Sequence, residues 1–227
     1  MLRKYLAIVP IISFMILASC NGGSDSGTNE PNVSLDPFPL SAGNQWQYDV
    51  TDRVTSKRIV SVVGTKLVDG LSVFVLGSND AEYAFYNRID SAVTQLPVSN
   101  ADAYTRAIGP RLILKLPLRP SDKWVQVDKS ATVESKVTTE LTDVLVRAPE
   151  DVVTPAGYFK GAYPVYTNSK FTTSDVGSTS GVTTLQTKTE WVVLGVGVVR
   201  RETRTISPSS FERQISELLA SYSILKS

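Results

Sequence analysis

The chain has 227 residues, enough for one domain of ordinary size, and its 23 basic and 22 acidic residues leave a net charge of +1 at pH 7. A near-neutral chain without a basic run argues against nucleic acid, or a polybasic patch on a membrane surface, as its partner. The absence of histidine and the single cysteine exclude Ser-His-Asp and Cys-His catalysis, zinc sites of the His/Cys type and a histidine pH switch.

Residues 1–19 have the layout of a secretory signal. Arg3 and Lys4 form a short positive region, and residues 5–18 form an apolar run that ends in small side chains. This run is shorter than the ~20 residues that a transmembrane helix needs, and polar residues follow it. We therefore expect residues 1–19 to be a signal helix that is removed from the mature chain.

The signal ends in Leu17-Ala18-Ser19-Cys20, and these residues resemble the lipobox of a bacterial lipoprotein. The resemblance implies cleavage between Ser19 and Cys20, a diacylglyceryl group on the Cys20 thiol and a further acyl chain, such as palmitate, on the new amino group. Two or three acyl chains anchor a protein stably, whereas one does so only marginally. In a Gram-negative host, Asn21 in place of an aspartate favours the outer membrane, facing the periplasm. The alternative is an ordinary secreted protein with an incidental cysteine.

Residues 20–36 are predicted to be a flexible tether that carries the lipidated Cys20. They are rich in glycine, serine, asparagine and proline, with almost nothing to bury. A flexible chain of this length has an end-to-end distance of about 20–25 Å, which lifts a domain clear of lipid head groups. Residues 37–227 are predicted to form a single β-rich domain.

The N-terminal half of this domain contains apolar and β-branched runs with the period of two that is typical of strands. Trp46, Tyr48 and Val50 share one face of the first strand, and Asp69-Gly70 is a hairpin turn. Further strands are predicted at residues 58–67, 71–76, 81–89 and 111–116. A spacing of seven residues from proline to tryptophan occurs twice, with turn-forming residues inside it, and indicates a duplicated or two-part sheet: Pro39 to Trp46 and Pro117 to Trp124.

The C-terminal half continues with strands, and alternation is clearest in residues 133–146. There Val137 and Leu141 are predicted to be buried, whereas Glu140 and Thr142 are predicted to face water. Residues 152–159 are predicted to form a short strand and a Pro/Gly turn, and further strands are predicted at residues 162–172, 182–193 and 198–204.

The last segment, residues 211–225, fits either a helix with a capping box at Ser209 and Glu212 or a closing strand, and we favour the strand. The pattern as a whole predicts an all-β fold after the signal helix and the disordered tether. It is typical of an antiparallel, strongly curved sheet or a half-open barrel.

Three stretches resemble recurring elements of bacterial lipoproteins and exported β-proteins. They are residues 38–48, Thr154-Pro155-Ala156-Gly157 with Phe159, and Trp191 with Gly195-Val196-Gly197-Val198-Val199 and Arg200. Proteins of this kind resemble the curved, half-open sheets of periplasmic lipoprotein carriers, in which the concave face can hold acyl chains. The matching residues are turn and core residues, so the resemblance implies a fold and no active site.

An enzyme without histidine or a free thiol would need paired carboxylates, a Ser-Lys dyad or a metal held by carboxylates. Adjacent Glu150 and Asp151 point to opposite faces of a strand and are expected to be a solvated pair. Residues 177–181 lack the strand and helix of a nucleophile elbow, and Gly195-Val196-Gly197 lacks the third glycine of a dinucleotide-binding turn. We therefore expect no catalytic residue, no metal site and no cofactor.

Aromatic residues are the remaining candidates for a binding site. Tyr83, Phe85 and Tyr86 place large side chains on both faces of one strand, which indicates that its second face is covered by a helix, a loop, a ligand or a partner. The tryptophans are expected to be core residues, although they could line a cavity: Trp46, Trp124 and Trp191.

We expect a non-enzymatic, membrane-anchored envelope lipoprotein whose sheet binds a hydrophobic ligand, such as a lipid, or an envelope protein. The alternative is a structural or assembly component of the envelope with no small ligand. An apolar cavity open to solvent would favour the first function. A filled interior with an exposed apolar patch or a bare edge strand would favour the second.

Overall fold

Antiparallel strands form nearly all of the protein in the computed structural model, which describes residues 36–78, 81–208 and 210–225. The predicted signal helix, Cys20 and all of the predicted tether except Asp36 lie outside these residues. The first strands are β1 (Gln45–Thr51), β2 (Thr55–Val68), β3 (Leu71–Ser78), β4 (Ala81–Ile89) and β5 (Ala92–Leu96). A short helix, α1 (Ala103–Ile108), precedes β6 (Arg111–Lys115), β7 (Lys123–Val133), β8 (Lys136–Val146), β9 (Glu150–Thr154), β10 (Gly157–Asp175), β11 (Gly181–Val193), β12 (Gly197–Ser207) and β13 (Ser210–Ser223).

The strands follow one another in the sheet almost in chain order. From edge to edge the order is β6-β5-β4-β3-β2-β1-β13-β12-β11-β10-β8-β7, with β9 paired to β10 off this path. The first and last strands are neighbours, because Gln45 lies opposite Ser223 and Thr51 opposite Ser216. The edge strands β6 and β7 contact each other. In the part of the chain that the structure describes, no ladder joins them.

We call this contact between β6 and β7 the seam. The sheet is a nearly closed barrel with its opening at the seam, which confirms the prediction of an all-β, antiparallel and strongly curved sheet. Asp69 and Gly70 have φ values of +50° and +78°. Such values are those that a tight two-residue hairpin requires, so the predicted turn between β2 and β3 is also confirmed.

The first Pro-to-Trp segment begins the half of the sheet that runs from β1 to β6. Just before Trp46, the backbone N–H of Gly43 donates to the carbonyl of Val62 at 2.8 Å, and the N–H of Val62 donates to the carbonyl of Asn44 at 2.9 Å. These bonds tie the entry of β1 to β2.

The second segment begins the half that runs from β7 to β13, and it repeats this arrangement. Just before Trp124, the N–H of Ser121 donates to the carbonyl of Val146 at 2.8 Å, and the N–H of Val146 donates to the carbonyl of Asp122 at 2.9 Å. In both halves, the Pro-to-Trp segment is therefore tied to a neighbouring strand by the same pair of backbone hydrogen bonds, as expected for a two-part sheet.

The prediction for residues 133–146 is wrong in two respects. Glu134, with φ of +55°, lies in the turn between β7 and β8, so β8 begins only at Lys136. On β8 the buried face carries Glu140, Thr142, Val144 and Val146, while Leu141 is 40% exposed. The faces are inverted because a cation from another strand neutralises Glu140 inside the sheet.

The C-terminal segment is a strand, as favoured, and the helix alternative is wrong. Strand β13 pairs with β1 on one side and with β12 on the other. Its buried residues Glu217 and Leu219 are two apart, as the pleat requires. The strand therefore closes the sheet between its two halves.

The main hydrophobic cluster joins both halves of the sheet. Its members include five residues that are at most 1% exposed: Val62, Val93, Val146, Val192 and Leu219. A smaller cluster of Val73, Val75, Phe85 and Leu96 is separate from it. Because neighbouring residues of a strand point to opposite faces, this cluster lies on the other face of β3 and β4.

Candidate functional site

A cavity of about 320 Å³ lies within the curved sheet. Side chains from both halves of the sheet line it, and one part of the lining is apolar and buried. The apolar lining includes Leu40, Trp46, Val60, Leu76, Leu114 and Val192. Protein interiors have few voids larger than a water molecule, so a space of this size is a candidate binding site.

The other part of the lining is charged. It consists of an ion-pair chain in which the signs alternate: Lys188, Glu190, Arg201, Glu217 and Arg58. The Lys188 Nζ lies 2.9 Å from Glu190, and Arg201 bridges Glu190 at 2.7 Å and Glu217 at 2.6 Å. Arg58 forms the last ion pair of the series, with the Glu217 carboxylate. Four different strands supply these residues, so only the fold brings them together.

Burial and charge oppose each other at Glu190. Burial alone would raise the pKa of its carboxyl group, but the Lys188 ammonium and the Arg201 guanidinium outweigh burial and lower the pKa to about 2. Burial would likewise lower the pKa of Arg201, yet the nearby carboxylates hold it well above its ordinary value. Glu190 and Arg201 are therefore both charged at neutral pH.

Two tyrosine rings hold Arg58 in place. Its guanidinium lies 5.4 Å from the ring centre of Tyr48 and 5.3 Å from that of Tyr83, and its Nη1 donates to the Tyr83 hydroxyl at 3.2 Å. Among the described residues, Arg58 Nε is a buried side-chain nitrogen without a hydrogen-bond partner. The two rings and the Glu217 carboxylate therefore fix the guanidinium of Arg58 at the cavity.

The tyrosine hydroxyls at the cavity are donors and not bases. Burial raises the pKa of Tyr48 far above its ordinary value, and its hydroxyl donates to the carbonyl of Val198 at 2.9 Å. Burial also raises the pKa of Tyr86. Both hydroxyls therefore stay protonated at physiological pH.

The two ends of the cavity differ in their exposure to solvent. Tyr83, in its charged part, is 41% exposed, whereas Leu114 in its apolar part is 3% exposed. We call the exposed charged end, with Tyr83, Arg58 and Lys188, the mouth. We call the buried end, with Trp46 and Leu114, the floor.

A second buried polar cluster spans the seam. The Glu140 carboxylate of β8 is fully buried and accepts from Arg111 of β6 at 2.5 and 2.8 Å. It also accepts from the Tyr104 hydroxyl of α1 at 2.8 Å and from Thr142 at 2.9 Å. Burial, followed by the hydrogen bond to Glu140, raises the pKa of Tyr104. This cluster fastens the two edges of the sheet.

The predicted lipidation and cleavage residues, Cys20 and Ser19, lie outside the described residues. Asp36, the last residue of the predicted tether, is bonded to the domain. Its side chain accepts from the N–H of Phe38 at 2.8 Å and pairs with Arg88, and its carbonyl accepts from the N–H of Gly195 at 2.7 Å.

The three tryptophans are buried core residues, as expected. Only Trp46 also lines the cavity, and its indole N–H donates to the carbonyl of Val196 at 2.6 Å. Trp124 donates to the carbonyl of Leu112 at 3.0 Å, across the seam. Trp191 donates to Glu150 and lies under the guanidinium of Arg200.

The aromatic strand β4 is covered on its second face by the chain itself. Tyr86 belongs to the main core, whereas Phe85 packs with Leu96 and the partly buried Val98. The Lys66 ammonium lies 4.0 Å from the centre of the Phe85 ring. The covering is therefore a loop and a lysine, one of the alternatives that the sequence left open.

The remaining motifs have structural roles. Asp151 accepts from the Tyr158 hydroxyl and from the N–H of Gly161, and these bonds lower the pKa of its carboxyl group. Residues 177–181 connect β10 to β11, and residues 194–196 form the turn between β11 and β12.

Two features are absent from the described residues. No group of three or more acidic, histidine or cysteine side chains among them is placed to hold a metal ion. No helix in this part of the chain is both long and apolar enough to cross a membrane.

Comparison with known proteins shows a distant likeness only. Neither a protein-family model nor a curated protein matches the chain. A Bacteroides fragilis protein, described as exported and as having a YmcC-like fold, is similar at 14% identity and a TM-score of 0.42, covering 84% of this chain and 99% of that one. A Parabacteroides distasonis protein described as a lipoprotein is similar at 14% identity and a TM-score of 0.38, with the same coverage. Likenesses this distant assign neither a family nor a function.

Proposed function

We propose that the protein is a lipid-anchored envelope protein whose barrel-like sheet holds a hydrophobic ligand in its cavity. The observation that carries this proposal is the cavity itself, with its apolar floor and exposed mouth. Its volume of about 320 Å³ falls at the lower end of the ~300–1,000 Å³ that is usual for ligand sites. A purely structural component has no need of a buried apolar floor that opens to solvent through a charged mouth.

The proposed function is binding without catalysis. The two carboxylates at the cavity, Glu190 and Glu217, are each held by cations, so neither is an available general base. The hydroxyl of Tyr48 is committed to a backbone carbonyl. What the lining offers a ligand is apolar surface and fixed charge.

The proposed location follows from Cys20. Acyl chains on Cys20 would anchor the protein in a membrane, in a Gram-negative host the outer membrane facing the periplasm, with residues 20–35 as the tether. The partner is then the membrane through the lipid, together with a ligand in the cavity. No nucleic acid is expected.

A cavity-filling substitution tests the binding function. Val60 of β2 lines the cavity, whereas Val63 of the same strand is 67% exposed. Residues 20–227 with Cys20→Ser, which contain the compact unit of residues 33–227, are titrated with the neutral apolar fluorophore N-phenyl-1-naphthylamine. We expect saturable binding, at least about tenfold weaker in Val60→Phe and unchanged in Val63→Phe.

Circular dichroism shows whether each variant keeps its β structure, and Leu114→Phe replaces Val60→Phe if that variant unfolds. Absence of saturable binding to the unsubstituted cavity would contradict the proposal. Equal binding by a folded cavity-filled variant and by Val63→Phe would place the fluorophore elsewhere and contradict it too.

A further inference from the structure

We propose that the ligand is a single-chain amphiphile with one negative charge, its chain in the cavity and its head group at Arg58. This inference rests on the proposed function and adds the chemical class of the ligand to it. Three features carry it: the charge of the mouth, the fixed position of the Arg58 guanidinium, and the size and shape of the cavity.

The mouth has one positive charge in excess. The ion-pair chain contains three cations and two carboxylates, and both of its ends, Lys188 and Arg58, are cations. The pKa values of Glu190 and Arg201 are shifted in the directions that keep both groups charged. A monoanion would neutralise this excess, whereas a cationic or dianionic head group would leave a net charge at a partly buried site.

The guanidinium of Arg58 is held in place for an anion. The rings of Tyr48 and Tyr83 and the carboxylate of Glu217 fix its position. A head group that paired with this guanidinium would therefore gain a charge-assisted interaction without having to order a flexible side chain.

The shape of the cavity favours an amphiphile with one chain. The charged mouth is exposed and the apolar floor is buried, so a head group keeps contact with water while the chain is removed from it. The Tyr83 hydroxyl, which accepts from Arg58 Nη1 at 3.2 Å, provides a further donor beside the head group. A cavity of about 320 Å³ is small for a ligand site and suits one alkyl chain better than the two chains of a bilayer lipid.

Affinities for three ligands with the same alkyl chain test the head group. Residues 20–227 with Cys20→Ser are titrated calorimetrically, below micelle-forming concentrations, with dodecanoate, its methyl ester and dodecyltrimethylammonium. We expect dodecanoate to bind at least about tenfold more tightly than the ester, since a hydrogen bond to a charged group contributes about 1.5–3 kcal/mol, and the cation to bind most weakly.

Two matched variants locate the interaction. Arg58→Gln should remove the preference for dodecanoate over the ester, whereas Arg204→Gln, which changes an exposed arginine paired with Glu212, should keep it. Lys188→Gln replaces Arg58→Gln if the latter unfolds, and it should reduce the preference.

The outcomes separate this inference from the proposed function. Equal binding of dodecanoate and the ester would overturn the anionic head group and leave the apolar cavity supported. Preference for the cation, or a preference for dodecanoate that survives in folded Arg58→Gln, would also overturn the inference. Failure of all three ligands and of the neutral fluorophore would overturn the proposed function itself.

Discussion

Glu190 shows how much of the interior depends on single charges. Its carboxylate is buried between Lys188 and Arg201, and without them burial would favour the neutral acid. Burying an ion pair of this kind costs free energy of desolvation. Removing one partner destabilises the fold further, because it leaves the other buried charge uncompensated. Substitutions at the mouth of the cavity are therefore expected to affect stability as well as the proposed binding.

The lowered pKa of Glu190 predicts a loss of stability in acid. Because the pKa is about 2 in the folded protein and near 4.5 when unfolded, the carboxylate stabilises the fold above pH 4.5 and this contribution disappears as the pH falls towards 2. The contribution is roughly 3 kcal/mol. Glu190→Gln should be less stable at pH 7 and should lose less stability between pH 4.5 and 2, as measured by urea unfolding.

Glu134→Gln is the control, because Glu134 is an exposed carboxylate in the turn between β7 and β8, outside the cavity. This variant should follow the pH profile of the unsubstituted protein closely. Parallel profiles for Glu190→Gln and the unsubstituted protein would show that Glu190 carries no such linkage.

At the scale of elements, the seam is where the sheet is weakest. Strands β6 and β7 are consecutive in the chain, yet side chains and not a backbone ladder hold them together. Arg111, Tyr104 and Trp124 make these contacts from β6, α1 and β7, and the Glu140 carboxylate of β8 receives two of them. Local opening is expected where backbone pairing is missing.

Removing the carboxylate at the seam should open it. Glu140→Ala leaves Arg111 without its partner and should lower the free energy of unfolding by about 3–5 kcal/mol. Hydrogen exchange should accelerate in β5, β6 and α1 more than in β1 and β13. The double variant Glu140→Leu with Arg111→Met should be more stable than Glu140→Ala and recover much of the lost free energy of unfolding. Its two apolar side chains leave no unpaired charge at the seam.

Glu82→Ala provides the comparison, since Glu82 pairs with Lys66 at a partly exposed site on β4. It should cost at most about 1 kcal/mol. If Glu140→Ala costs no more than Glu82→Ala, or if exchange rises evenly along the sheet, the seam is not held by this cluster.

The strands were predictable because local pattern determines them. The hairpin at Asp69-Gly70, the alternation around Trp46 and the closing strand β13 depend on turn chemistry and a period of two, which a short window contains. The orientation of β8 was not predictable in this way. Its alternation points the leucines inward, and only Arg111, distant in the sequence, makes burial of Glu140 favourable.

The charged lining of the cavity was not predictable, for the same reason. Arg58, Glu190, Arg201 and Glu217 each look like ordinary solvent-facing charges, because every one of them sits in a different strand and finds its partners only across the sheet. One signal was available. Lys188, Glu190 and Val192 alternate along β11, which places charges on the same face as a buried valine.

At the scale of the whole molecule, the β domain and the proposed anchor at Cys20 occupy separate parts of the sequence. The cavity and its ion-pair chain belong to the compact unit of residues 33–227, whereas the proposed anchor is Cys20. The function that we propose needs both, one for binding and the other for location. Each can therefore be removed without the other.

Replacing the cysteine tests the anchor. Cys20→Ser should lose palmitate labelling and leave the membrane fraction of the host, because no thiol remains to be acylated. Ser19→Gly keeps a small residue before the cysteine and should retain both properties. Membrane-bound, labelled Cys20→Ser protein would show that the anchor lies elsewhere.

The pairing of the first strand with the last has a consequence for synthesis. Hairpins from β1 to β6 join near neighbours and can form as the chain emerges, but one edge of β1 has no permanent partner until β13 is made. Bare strand edges are sites of wrong pairing with other chains, and contacts between distant residues form late. During synthesis, this edge of β1 is therefore exposed to wrong pairing until nearly the whole chain has been made. The pairing of β13 with β1 ends this exposure.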